Sequence, residues 1–67
     1  MNYSGDSIAT LMNQVKVEYA EMPGLSVTLL QAQRLWGVDR VTCEEALDRL
    51  ITTGVLRRSI RGRFVRA

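Results

Sequence analysis

The sequence predicts a mainly α domain with a small β-hairpin: three helices, a short strand between the first two, and a two-stranded hairpin at the end. Three observations predict it. Apolar residues recur at steps of three and four over three separate stretches. Pro23-Gly24, Gly37 and Gly54 stand where each of those stretches has to stop. After Gly54 the pattern turns from helical to extended, VLRRSIRGRFVR, with Arg61-Gly62 at the bend.

Residues 1–5 read as a flexible leader and residues 6–67 as one domain. The first helix starts at Asp6 or Ser7, either of which can cap it. Its inward stripe is Ile8, Leu11, Met12, Val15, Tyr19 and Met22, and Asn13, Gln14, Lys16 and Glu21 face water. Methionines and an aromatic at this spacing read as core packing rather than as a ligand groove. Pro23 ends the helix, because the residue before a proline is pushed out of the helical region.

Leu25-Ser26-Val27 is extended in pattern and short, a strand that needs a partner from the C-terminal segment. Thr28 supplies a hydroxyl N-cap for the second helix, which runs to Trp36 with Leu29, Leu30, Ala32 and Trp36 as its apolar positions. Gly37 can take the positive φ of a sharp exit, and Val38 follows as an apolar plug. Asp39 caps the third helix, whose inward stripe is Cys43, Ala46, Leu47, Leu50 and Ile51, and Gly54 ends it. Two helices joined by a glycine turn make a helix-turn-helix.

In the hairpin, Val55 to Ser59 and Arg63 to Arg66 are the strands, with Leu56 and Phe64 as anchors to the helices and the arginines projecting around the loop. Two registers are open. A two-residue turn at Arg61-Gly62 and a three-residue loop ending on Gly62 place Phe64 on opposite faces relative to Leu56.

Composition narrows the function. Sixty-seven residues leave little room for an enclosed catalytic pocket. There is no histidine and a single cysteine, Cys43, which excludes histidine acid–base chemistry, an internal disulfide and a Cys/His metal site. Without a glycine-rich phosphate loop or a nucleophile beside a base, we expect no enzyme, no cofactor and no metal. The apolar runs are too short to cross a bilayer and the N-terminus lacks the pattern of a signal peptide, so a cytoplasmic protein with no membrane partner is expected.

The charge is lopsided. Residues 1–54 hold four basic and seven acidic side chains, net −3, whereas residues 55–67 hold Arg57, Arg58, Arg61, Arg63 and Arg66 and no acid, net +5. Partner-seeking charge therefore lies at the C-terminal end.

In its order of elements the chain resembles the winged helix-turn-helix family of DNA-binding domains, from Asp6 to Arg66. The features that carry the resemblance are the GlnAlaGlnArgLeuTrpGlyValAsp segment at 31–39, the LeuAspArgLeuIleThrThrGlyValLeu segment at 47–56 and the Arg-Gly hairpin. Ala32, Trp36, Val38, Cys43 and Ala46 fill the family's apolar places, and Gln33 departs from it at the place of a small residue before the turn glycine. The resemblance implies a small regulator of transcription, of bacterial or phage type, that binds double-stranded DNA. In this family the second helix of the motif enters the major groove and the hairpin, or wing, touches flanking backbone or minor groove.

The residues support the two contacts unequally. The outward side chains of the third helix are Arg40, Val41, Glu44, Glu45, Asp48, Arg49 and Thr52, an acidic set that suits a phosphate-lined groove poorly. Arg40/Glu44 and Glu45/Arg49 read as i,i+4 pairs on a solvated face. The five hairpin arginines have no carboxylate nearby in sequence, and arginine is suited to bidentate phosphate contact and to narrow minor grooves. Edge-strand protection against aggregation, or pairing with acids of the first or third helix, is the competing account, and the nucleic-acid reading is preferred to it.

The expected DNA-binding residues are Arg57, Arg58, Arg61, Arg63 and Arg66, with Arg34, Arg40 and Thr42 near the helix-turn-helix. The alternative is a protein-interaction module that meets a partner through its acidic third helix or its basic wing. Cys43 reads as a small core hydrophobe and Trp36 as the largest core anchor. With no long heptad repeat, a monomer or a weak homodimer is expected.

Overall fold

The spacing of the apolar residues sets the architecture. In the computed structural model, which describes residues 4–67, the chain forms α1 (Ser4–Glu21), β1 (Ser26–Val27), α2 (Leu29–Trp36), α3 (Arg40–Thr52), β2 (Leu56–Arg58) and β3 (Phe64–Arg66). It is a mainly helical domain with a small three-stranded antiparallel sheet. No helix among the described residues is long and apolar enough to cross a membrane.

The helix signals act through specific hydrogen bonds. At the start of α2 the Gln31 N–H donates to Thr28 Oγ1 at 3.2 Å while the Thr28 N–H donates to Gln31 Oε1 at 2.9 Å, a reciprocal capping box. Gly37 exits α2 in the left-handed region at φ 64°. Asp39 then caps α3, accepting from the Thr42 N–H at 3.0 Å. At the far end of α3 the Val55 N–H donates to the Leu50 carbonyl and the Gly54 N–H to the Ile51 carbonyl, with Gly54 at φ 85°. This pairing satisfies two of the last carbonyls of α3 and turns the chain towards β2.

One core joins all the elements. Ile8, Leu11, Val15 and Tyr19 of α1, Val27 of β1, Ala32 and Trp36 of α2, Cys43, Ala46, Leu47 and Leu50 of α3, and Leu56 and Phe64 of the sheet are buried together. Val38 and Ile51 pack against its margin. The third helix is central: it packs on α1, α2 and β2. Tyr19 is buried and its hydroxyl donates to the Phe64 carbonyl at 2.6 Å, joining α1 to the middle strand.

The sheet order is β1-β3-β2, so the short strand finds its partner in β3. Ser26 pairs with Val65 and Val27 with Phe64, while Leu56, Arg57 and Arg58 pair with Arg66, Val65 and Phe64. Residues directly opposite share a face. Val27, Leu56 and Phe64 thus point at the helices, and Ser26, Arg57 and Val65 point away.

Several expectations need correction. α1 begins at Ser4, upstream of the expected caps Asp6 and Ser7, so neither of them is the cap; Met1 to Tyr3 lie outside the described residues. Apolar periodicity begins only at Ile8 and carries no information on how far the helix extends upstream. Met22 lies beyond the end of α1 and is exposed, because the turn at Pro23-Gly24 carries the chain away from the core. Leu30 is exposed as well; Ala32 and Trp36 are the buried residues of α2, and Gln33 is half-buried beside them.

Candidate nucleic-acid interface

Local turn chemistry builds the basic end of the molecule. Between β2 and β3 the Ser59 N–H donates to the Arg63 carbonyl at 2.7 Å and the Gly62 N–H donates to the Ser59 carbonyl at 2.9 Å. Ile60, Arg61 and Gly62 are therefore the loop, and Gly62 is left-handed at φ 77°. Of the two open registers this is the three-residue one. Ser59 Oγ also accepts from the Arg63 N–H at 3.2 Å, so each end of the turn is tied to the other.

This geometry sorts the five hairpin arginines. Arg57 is exposed on the sheet face turned away from the helices, and Arg61 is exposed in the loop. Arg58 shares a face with Phe64, and its guanidinium carbon lies 4.7 Å from the Phe64 ring centre while the residue remains exposed. A cation over the negative face of an aromatic ring is held without losing its charge. Arg66 is exposed, opposite Leu56 at the hairpin base. Arg63 differs from the expectation of a free tip: it is half-buried, and Nη1 donates to the Ser26 carbonyl at 3.5 Å. The reason is tertiary, since only the folded sheet brings β1 beside it.

Among the described residues no carboxylate lies within ion-pair distance of any hairpin arginine. The two ion pairs are on α3. Arg49 reaches Glu45 at 2.9 Å and Arg40 approaches Glu44 at 3.8 Å, both on exposed turns where such pairs contribute only a few tenths of a kcal/mol. Arg40 is thus drawn to its own helix rather than left free. Thr42 is half-buried, with its N–H held by Asp39, whose carboxyl that backbone hydrogen bond keeps below its ordinary range. Arg34 is exposed at the end of α2. The expected site residues therefore form two groups: a basic hairpin, and a weaker set around α2 and α3 that shares its surface with Glu44, Glu45 and Asp48.

Ile60 is a residue of this region that the charge pattern passed over. It is 101% exposed, beside Arg61 in the loop. Choosing the three-residue loop from sequence would have placed it in the loop, but alternation left that choice open.

No group of three or more potential metal ligands is found among the described residues. Cys43 is buried, and burial pushes its thiol up to about 11, with the charges of Asp39 and Glu44 adding to the effect. Compared with known protein families, with curated proteins and with solved structures, the chain matches none.

Proposed function

We propose that this chain is a small winged helix-turn-helix protein that binds double-stranded DNA and regulates transcription, with its arginine-rich hairpin on the phosphate backbone or in the minor groove. The observation that supports it is the hairpin itself, in which Arg57, Arg58, Arg61 and Arg66 are exposed and meet no described carboxylate. Arginines without internal partners keep their full attraction for phosphate. The acidic outer face of α3 argues for binding led by the hairpin, with limited sequence selectivity, because phosphate contacts position a protein and specify little.

The experiment is fluorescence anisotropy with a labelled random-sequence duplex across a salt series, beside the Arg57→Glu/Arg61→Glu variant. These two arginines are chosen because neither holds the fold, whereas Arg63 contacts Ser26. Binding should weaken steeply with salt, by about 0.9 in the log–log slope per phosphate neutralised, and the variant should lose it. Absence of binding by the folded wild-type protein at low salt would refute the proposal.

A protein-interaction module is the second reading, and a specific observation favours it. Leu30 and Leu35 of α2 and Val41 of α3 are all exposed, beside an acidic helix. A basic partner is the chemistry that surface would suit.

A further inference from the structure

Ile60 occupies a position that local preference gives to other residues. The apices of tight turns favour Gly, Pro, Asn, Asp and Ser, each for its backbone or its own hydrogen bonds. Here a β-branched hydrocarbon stands at the first position of the loop with 101% of its surface exposed, outside the core cluster. A single exposed apolar residue is ordinary on a protein surface. Its setting in this turn is not ordinary.

Three features of the setting converge. The turn is closed by three hydrogen bonds, from Gly62 N–H to the Ser59 carbonyl, from Ser59 N–H to the Arg63 carbonyl and from Arg63 N–H to the Ser59 hydroxyl, so the loop has a defined direction. The side chain is stiff as well, since a β-branched residue has few χ1 states to lose when it is inserted into a partner. Cations flank it along the chain, with Arg61 next to it and Arg58 two residues before it at the end of β2, its guanidinium held over Phe64. A rigid apolar point between cations is complementary to a surface of closely spaced anions with an apolar interior beneath them.

We propose that Ile60 is a wedge that enters between base pairs from the minor groove and kinks the duplex, with Arg58 and Arg61 on the phosphates to either side. This rests on the DNA-binding reading above and adds the mode of contact. A bare apolar side chain driven between base steps unstacks them and bends the helix away from the minor groove. The step most easily opened is pyrimidine–purine, so TA steps are the preferred target. Selectivity then comes from deformability rather than from base-edge hydrogen bonds. This removes the difficulty posed by an acidic α3, because the major groove need not be read. An anionic lipid surface would also attract such a tip, but one side chain is far less than the broad apolar face with which proteins lie in a bilayer.

The test uses the full chain and a duplex carrying 2-aminopurine beside a central TA step, with donor and acceptor dyes at its ends. Wild-type protein should raise 2-aminopurine emission as the stack opens, and should shorten the end-to-end distance in keeping with a bend of roughly 20–90°. Ile60→Ser, which removes a fully exposed group, should keep the salt slope of binding, lose both signals, and lose about tenfold in affinity for the TA duplex. Binding by wild-type protein with neither signal, or with the same signals in Ile60→Ser, would overturn the wedge and leave the DNA-binding reading in place. No binding to the duplex at low salt would overturn both. Retention on phosphatidylglycerol vesicles but not on the duplex, lost in Ile60→Ser, would overturn the wedge in favour of a lipid contact.

Discussion

The hydroxyl of Tyr19 donates a 2.6 Å hydrogen bond to the carbonyl of Phe64, linking α1 to the middle strand of the sheet across 45 positions of sequence. Both residues are almost fully buried. The bond fixes the strand that carries the hairpin against the helix that forms one wall of the core. Tyr19→Phe should therefore lower stability by about 1–2 kcal/mol, read from urea unfolding, with little change in the helical circular dichroism. A variant as stable as wild type would mean that this contact does not hold in solution.

Alkaline stability should follow the same tyrosine and the buried thiol. Burial pushes the Tyr19 hydroxyl up to about 12 and the Cys43 thiol up to about 11, from ordinary values of 10.0 and 9.0. Between those limits the unfolded chain releases these protons while the folded chain keeps them. Their contribution to stability is thus complete below pH 9 and is lost as the pH rises towards 11 and 12. Melting temperatures measured from pH 8 to 12 should fall, and Tyr19→Phe should flatten the part above pH 10 relative to wild type. Parallel curves for the two proteins would contradict the account.

Cys43 should be inert to thiol reagents in the folded protein, being buried and protonated. Labelling with Ellman's reagent at pH 8 should proceed only through opening of the domain and accelerate with added urea. Immediate reaction in the native state would place the thiol at the surface.

Trp36 separates volume from hydrogen bonding. Its indole Nε1 is buried and has no hydrogen-bond partner. Trp36→Ala, like Leu50→Ala, should cost about 3–5 kcal/mol, enough to unfold so small a domain. Trp36→Phe keeps an aromatic ring and removes the unsatisfied donor, so chemical denaturation should show less than half that loss. Equal losses for the two Trp36 variants would show that the indole N–H is satisfied.

The turn depends on Gly62. At φ 77° an added Cβ meets no atom within 4 Å, so the penalty of Gly62→Ala is conformational rather than a clash. It should cost about 1–2 kcal/mol, with Gly62→Asn costing less, as thermal melts would show. If alanine were harmless, the hairpin would have to use another loop.

Charge removal on α3 distinguishes the two functional readings. If DNA is bound through the hairpin, Glu44→Gln/Glu45→Gln removes repulsion and should raise affinity about two- to fivefold at low salt. A basic protein partner would instead bind this variant less well. Anisotropy with the duplex and with a lysine-rich peptide gives both answers.

Much of the fold is written in short-range chemistry. Thr28, Asp39, Gly37 and Gly54 act within four or five residues of themselves, through caps and left-handed exits, and the helix boundaries they predict are the ones observed for α2 and α3. The stripe Cys43, Ala46, Leu47 and Leu50 is legible for a similar reason: a helix repeats its faces at a fixed period, whatever it packs against. The five unopposed arginines are a matter of composition and need no coordinates.

Long-range relations required the folded chain. The choice between two hairpin registers was decided when Val27, Leu56 and Phe64 had to share one buried face against the helices, which alternation within the hairpin alone could not impose. The same pairing brought Ser26 beside Arg63 and took that arginine from the exposed set, and it left Ile60 bare in the loop. Sequence by itself determined which residues are apolar, capped or charged, since those properties are local; tertiary structure decided which arginines remain available and where the bare isoleucine points, since both depend on residues distant along the chain.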